Sequence, residues 1–338
     1  MSKSVIVIGV GRMGQAHVKA AQSLGLKIVA LVDRDAVKLR AAKDLLGLDD
    51  EVLFTDLDVA LALKSDVAMI ATTAPAHADL TIACARAGIK KILCEKPMAQ
   101  SLAQCDQMIL ECNKTGAELA INHQMRFMDQ YTLVKSRLDS EDFGGLSSMS
   151  VIAGCFGLAM NGTHYIEAFR YLTDGDAPKS VSAWFSPTDL PNPRGPDFRD
   201  KAGEIRVETV SGKRFYLEAA NDQGHGMTVT YAAPYGHIMV DELGGEMNVA
   251  YRQAEHRAMP MTRYGMPVNR EKLSWAAPDN VGPTAAVLQA LLNGKNYTTG
   301  AEARQALAVL VAAYHSNENG HVPVAVEGLK SNEVFPWA

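Results

Sequence analysis

The sequence is short of positive charge, of long apolar runs, of paired cysteines and of metal-ligand spacings. Each shortage removes a class of function. Lysine and arginine total 33 against 38 aspartates and glutamates, for a net charge of −5. No basic stripe offsets that balance, which argues against nucleic acid or an anionic membrane as partner. No apolar run approaches the ~18–20 residues that a membrane span needs. The opening MSKSVIVIGVG has one lysine and then a short apolar run ending in glycines. It reads as a strand and not as a signal peptide, so a cytoplasmic protein is expected. The five cysteines, Cys84, Cys94, Cys105, Cys112 and Cys155, are odd in number and form no CxxC pair. Reduced thiols are expected, not disulfides or zinc. The nine histidines show no HExxH spacing, and no metal site is expected.

What is present is an ordinary globular composition, 47% apolar and 21% charged over 338 residues. That length suggests two domains. Over residues 1–123 the chain alternates strand and helix. Val5–Gly9 is a continuous apolar run, as a strand buried on both faces should be. A helix is predicted from Met13 to Leu24, with Met13, Ala16, Ala20, Ala21 and Leu24 on one stripe and Gly25 as its C-terminal stop. Strands are predicted at Ile28–Val32, Val52–Phe54, Val67–Thr72, Ile92–Glu95 and Glu118–Asn122, with helices between them. Ser101 and Gln104 have capping-box spacing. The pattern is α/β: a doubly wound, parallel Rossmann sheet. Residues 124–338 change character. A helix is predicted at Met128–Leu138, a strand at Ser147–Ile152 and a helix at Thr163–Leu172. A β meander follows from 203 to 252, then a last helix at Ala301–Tyr314, while Pro187–Pro196 reads as a loop. The second domain is therefore expected to be α+β with a mainly antiparallel open sheet.

Gly9-Val10-Gly11-Arg12-Met13-Gly14 matches GxGxxG between a predicted strand and a predicted helix, the context that gives the motif meaning. Gly9 permits the tight turn, Gly11 lets a diphosphate approach the backbone, and Gly14 lets the helix pack on the strand. Arg12 and Met13 lie at the helix entrance, whose N–H groups and dipole favour phosphate. Asp33 ends the second strand, 19 residues past Gly14, where an acid accepts hydrogen bonds from the adenosine ribose and favours NAD. Arg34 beside it suits a 2′-phosphate and leaves room for NADP. Thr72, Thr73, Pro75 and His77 follow the fourth strand at the ligand edge of such a sheet. A helix-capping role for His77 is equally compatible with its position.

Cys94-Glu95-Lys96-Pro97 stands at the end of the fifth strand, on the same edge. Consecutive residues face opposite ways, so Glu95 and Lys96 cannot both enter a cleft. A lysine beside a cationic nicotinamide has its charge disfavoured, which brings it toward a working range. GVGRMG, Asp33, TTAPAH and CEKP, in this order and spacing, resemble the Gfo/Idh/MocA oxidoreductases. The resemblance implies a Rossmann domain followed by an α+β domain whose open sheet forms a homodimer or homotetramer. It also implies NAD(P)-linked interconversion of a hydroxyl and a ketone on a sugar, cyclitol or derivative. Lys96 would then contact substrate and cofactor, with a cis bond to Pro97, and Glu95 and Asn122 would border the cofactor.

The family's second motif is Asp-x-x-x-His at a helix start. Here Met160 stands at the aspartate position and His164 at the histidine. Lys96 and His164 are then the proton carriers that the motifs supply, and a helix N-terminus favours the neutral imidazole a base requires. Asn161 would orient substrate. Arg126, in the crossover NHQMRF, would meet substrate or cofactor, or else form an interdomain ion pair. The missing aspartate keeps two other readings in view. One is a redox-neutral lyase or glycosidase that borrows and returns a hydride. The other is a dinucleotide-binding regulator without chemistry. The substrate's identity is not legible at this level.

Overall fold

A computed structural model describes residues 2–154, 157–190, 195–260, 265–275 and 279–337. Cys155 and residues 191–194 of the expected loop fall outside them. In chain order the elements are β1 (Ser4–Ile8), α1 (Arg12–Ser23), β2 (Lys27–Val32), α2 (Ala36–Leu46), β3 (Leu53–Phe54), α3 (Leu57–Leu61), β4 (Val67–Ile70), α4 (Ala74–Arg86), β5 (Lys91–Cys94), α5 (Leu102–Thr115) and β6 (Glu118–Ile121). Then come α6 (Asp129–Leu138), β7 (Ser148–Gly154), α7 (Gly162–Leu172), β8 (Pro178–Leu190), β9 (Asp200–Thr209), β10 (Arg214–Ala220), β11 (Thr228–Ala232), β12 (Gly236–Asp241), β13 (Glu246–Arg252) and β14 (Val268–Ser274). Last are α8 (Val281–Leu292), α9 (Gly300–Glu318) and β15 (Val324–Ala325). No helix of the described residues is long and apolar enough to cross a membrane.

The chain divides into two compact units. The first comprises Met1–Gln124, Pro278–Leu307 and Lys330–Ala338; the second comprises Met125–Ala277 and Ala308–Leu329. The sequence reading divides the chain between residues 123 and 124; the compact units divide after Gln124, and residues 278–307 and 330–338 group with the first unit. The physical reason is α8, which buries Thr284, Val287, Leu288 and Leu291 and packs on α1, β5 and β6 of the first unit. Residues 330–338 return as well. Phe335 and Trp337 stack with centroids 4.6 Å apart, and both are buried. The Phe335 N–H donates to the Gln100 carbonyl at 3.0 Å.

The first unit is built on a parallel sheet of order β3-β2-β1-β4-β5-β6. Val5, Ile6 and Val7 of β1 and all four residues of β4 are fully enclosed, as central strands covered on both faces should be. Helix α1 is rotated from the expected stripe: Gly14, His17, Val18, Ala20 and Ala21 are buried, while Met13, Ala16 and Leu24 are only half-buried. At α5 the capping box is half formed. The Ser101 hydroxyl accepts from the Gln104 N–H at 3.2 Å, but the Gln104 side chain accepts from the Gln100 N–H at 3.0 Å instead of closing on Ser101.

The second unit carries a sheet of order β14-β13-β12-β11-β7-β10-β9-β8-β15. Its ladders are antiparallel except the parallel pairing of β7 with β10. Three of its strands, β8, β14 and β15, were not expected from sequence, and β8 includes residues 187–190 of the expected loop. One face of the sheet is covered: α7 packs on β10, and Val151, Val181, Ala183, Leu217 and Ile238 are buried. The alternate residues Ile152, Trp184, Tyr216 and Met239 are exposed on the other face.

Candidate functional site

The glycine loop fits the task set for it. Gly9 has φ +90°, and a side chain there would place a Cβ 2.7 Å from the Ala71 carbonyl oxygen. A Cβ on Gly14 would lie 1.9 Å from the Gly9 carbonyl oxygen, so the first turn of α1 presses directly on the strand exit. Gly11 differs from both. A Cβ built there meets nothing within 4 Å, and Gly11 and Arg12 are exposed. Two of the glycines are thus required by packing, while the third opens onto free space in front of a helix start.

That helix start has no side-chain cap among the described residues. The N-cap of α1 is Gly11, and no acid occupies the first turn. Other helices of this unit are capped by their own side chains: Asp35 accepts from the Val37 and Lys38 N–H groups, Asp56 from Asp58 and Val59, and Ser101 from Gln104. The free donors of α1, with the positive end of its dipole, suit a diphosphate. The residues present therefore fit a dinucleotide. Asp33, at the end of β2, is half-buried and is held by the Val10 N–H at 3.1 Å and the Asp35 N–H at 3.0 Å. Each of its oxygens keeps a further lone pair for ribose hydroxyls. Arg34 is exposed.

Helix α4 also begins without a side-chain cap, at Thr73, with Pro75 in its first turn. Thr73 and Pro75 are exposed and Thr72 half-buried. His77 is fully buried in the first turn. Its Nδ1 lies 2.9 Å from the Pro97 carbonyl and its Nε2 3.2 Å from the Thr72 carbonyl. The ring therefore joins the loop after β4 to the loop after β5.

The Lys96–Pro97 peptide is cis, as the resemblance implied, and Lys96 is half-buried. Glu95 is buried, and its carboxylate turns the other way. Oε1 accepts from His17 Nε2 at 2.8 Å and from Asn122 Nδ2 at 2.7 Å, and Oε2 lies 3.3 Å from the Lys96 N–H. Burial raises the Glu95 carboxyl. The His17 hydrogen bond and charge, the Asn122 amide and the Lys96 ammonium outweigh that and hold it down to about 2. The network continues inward. Asn122 Nδ2 lies 3.3 Å from Thr284 Oγ1, Thr284 donates to Gln124 Oε1 at 2.8 Å, and Gln124 Nε2 donates to Asn280 Oδ1 at 3.1 Å. Sequence reasoning missed His17 and Thr284. The signal for His17 was available: it lies one helical turn past Gly14, on the face that must press on the sheet.

In the second unit, His164 is half-buried in the first turn of α7, and its N–H donates to the Asn161 carbonyl at 3.0 Å. Asn161 is the N-cap, without a side-chain cap bond. Met160 is half-buried, but a carboxylate does reach this backbone. Asp200, at the start of β9, accepts from the Ala159 and Met160 N–H groups at 2.8 Å each and from Lys201 N–H at 2.9 Å. Gly157 makes that approach possible, since a Cβ there would lie 2.1 Å from Asp200 Oδ2. Nothing in the sequence spacing pointed to Asp200. Arg126 pairs with the fully buried Glu167 of α7, and its guanidinium sits 5.3 Å from the Tyr171 ring centroid. Both partners lie in one unit, so the pair is not the interdomain one weighed from the sequence. Among the described residues no cluster of three or more His, Cys, Asp or Glu side chains is placed to hold a metal ion.

With this geometry in hand, comparison with known proteins is informative. Residues 3–123 match the family model GFO_IDH_MocA, an oxidoreductase family with an NAD-binding Rossmann fold. A D-apiose dehydrogenase of Paraburkholderia graminis is 31% identical over 195 residues, 52% of this chain and 51% of that protein. An inositol 2-dehydrogenase of Streptomyces avermitilis is 29% identical over 239 residues, 67% of this chain and 68% of that one. The match thus spans about half the length of the apiose enzyme and about two thirds of the inositol enzyme. Among solved structures, a levoglucosan dehydrogenase in complex with NADH and levoglucosan superposes with a TM-score of 0.80, covering 97% of this chain and 100% of that one at 19% identity. At that identity the likeness is one of fold.

Proposed function

We propose that this chain is a member of the Gfo/Idh/MocA oxidoreductase family, whose model its residues 3–123 match, and an NAD-linked dehydrogenase or reductase that interconverts a hydroxyl and a ketone on a sugar, a cyclitol or a derivative of one. The observation that carries the reading is local. An uncapped helix start opens in front of Gly11, while Asp33 and Lys96 follow strands of the same parallel sheet at its carboxyl edge. The activities for which the relatives are named, on apiose, inositol and levoglucosan, support the substrate class.

Bound nicotinamide supplies the hydride acceptor or donor. The chain's own part is binding and proton handling. The first amides of α1 hold the diphosphate, and Asp33 orients the adenosine ribose. Lys96 stabilises the developing alkoxide and relays a proton. His164 takes the proton of the substrate hydroxyl in oxidation and returns it in reduction, with Asn161 orienting the substrate. Thr72, Thr73 and Pro75 border the nicotinamide end. The open face of the second sheet, with exposed Ile152, Trp184, Tyr216 and Met239 and a groove of about 540 Å³, is the surface for a second copy of the chain.

The test is a panel of inositols, pentoses and anhydrosugars assayed by nicotinamide absorbance with wild type, Lys96→Met and His164→Asn. Each variant is expected to lose at least about 10²-fold in kcat with NADH affinity retained. Full activity in both refutes the assignment. A protein that binds NADH tightly yet turns over nothing on the panel supports the regulator reading instead.

A further inference from the structure

Lys96 carries the proposed chemistry, and the chain grips its backbone from both sides. On one side the Glu95 carboxylate reaches the Lys96 N–H with Oε2 and is tied by Oε1 to His17 of α1 and to Asn122 after β6. On the other side the Pro97 carbonyl meets Nδ1 of His77, on α4. Both imidazoles are fully buried. A buried polar ring is costly unless its hydrogen bonds return the expense, and an apolar side chain would fill either space without that cost. The two rings sit on the two helices of this unit whose N-termini lack side-chain caps at the ligand edge.

We propose that His17 and His77 are positioning residues. Together they fix the peptide unit before Lys96 and the one that follows Pro97, and so fix the turn from which the ammonium is presented. They also tie that turn to the same two helices that receive the dinucleotide. The proposal rests on the reading that Lys96 takes part in the reaction, and each ring meets the turn around Lys96 through one specific nitrogen, while Nε2 of His77 faces the Thr72 carbonyl. His17 bonds through Nε2, while its Nδ1 has no partner among the described residues. His77 reaches Pro97 through Nδ1.

That difference supplies the experiment. A glutamine amide nitrogen reaches about as far as Nε2, and an asparagine nitrogen about as far as Nδ1. His17→Gln and His77→Asn are therefore expected to keep kcat within about threefold of wild type. His17→Asn and His77→Gln should lower it about tenfold or more, with the KM for NAD little changed. Hydrogen exchange, read by mass spectrometry on the peptide containing Lys96, should be slow in the first pair and faster in the second. Equal behaviour of Gln and Asn at both positions overturns the proposal. If one variant does not fold, the other position carries the same comparison. If wild type turns over no polyol, the functional reading fails, but exchange still decides the brace: the crossed pattern supports it and matched rates overturn it.

Discussion

Gly11→Asp, set beside Gly14→Ala, separates what the glycine loop does for the fold from what it does for the ligand. Gly11 has φ −64° and ψ −172°, the extended backbone of an N-cap residue that aspartate adopts readily. Its Cβ would meet nothing within 4 Å. The new carboxylate would cap the free N–H groups of α1, so stability should hold or rise by a few tenths of a kcal/mol. Binding should collapse. The cap consumes donors a diphosphate needs, and two like charges about 4 Å apart near a protein surface repel by about 4 kcal/mol, close to 10³-fold in Kd. Gly14→Ala has the opposite signature. Its Cβ would lie 1.9 Å from the Gly9 carbonyl oxygen, a backbone atom that cannot rotate aside, so the cost falls on folding and should be about 1–3 kcal/mol or more. The assay is NADH fluorescence titration together with urea unfolding of both variants. A Gly11→Asp variant that binds NADH as wild type does would refute the reasoning, because the space before α1 would then not be the diphosphate site.

Glu95→Gln tests the buried carboxylate by pH. The folded-state carboxyl is held at about 2, below its ordinary 4.5, so its stabilisation is complete above pH 4.5 and is lost as pH falls toward 2. The wild-type advantage over the variant should shrink by roughly 2 kcal/mol between pH 7 and pH 3 in urea melts, and parallel curves would show that the charge contributes nothing. Asp33→Ala should narrow the ratio of NADPH to NADH dissociation constants by about tenfold, since a carboxylate repels a 2′-phosphate; an unchanged ratio in competitive titration removes Asp33 from cofactor choice.

The first unit was legible because its signals are local. Val5–Gly9, GVGRMG, Asp33 and CEKP each occupy a few consecutive residues, and the parallel sheet puts every strand's carboxyl end on one edge. The second unit was less so. In β14 the residues Asn269, Arg270, Glu271 and Lys272 are polar in sequence, so no alternation announces a strand. Pro187 hid the end of β8, which leaves the β9 ladder irregular between Phe185 and Asp189. Helix α8 carries Gly282 and Pro283 in its first turn, where they read as a break, although proline is tolerated there. The return of α8 and the last residues to the first unit has no local signature at all. Which sheet a helix covers depends on the faces left open elsewhere. Thr284, which completes the network under Lys96, was hidden for the same reason.

The distribution of helix caps argues for the site independently of any motif. In the first unit α2, α3, α5 and α8 have early N–H groups satisfied by Asp35, Asp56, Ser101 and Asp279, whereas α1 and α4 begin without a side-chain cap. These two helices follow β1 and β4, neighbours in the sheet order β3-β2-β1-β4-β5-β6. There the order reverses: the chain builds outward from β1 toward β3, then returns to lay β4 on the other side. Helices leaving such neighbours diverge to opposite faces and open a crevice at the strands' carboxyl ends. A cap lost at random would cost about 1 kcal/mol with no return. Uncapped starts that coincide with the one position where the topology opens a crevice are what a site built to receive an anion requires.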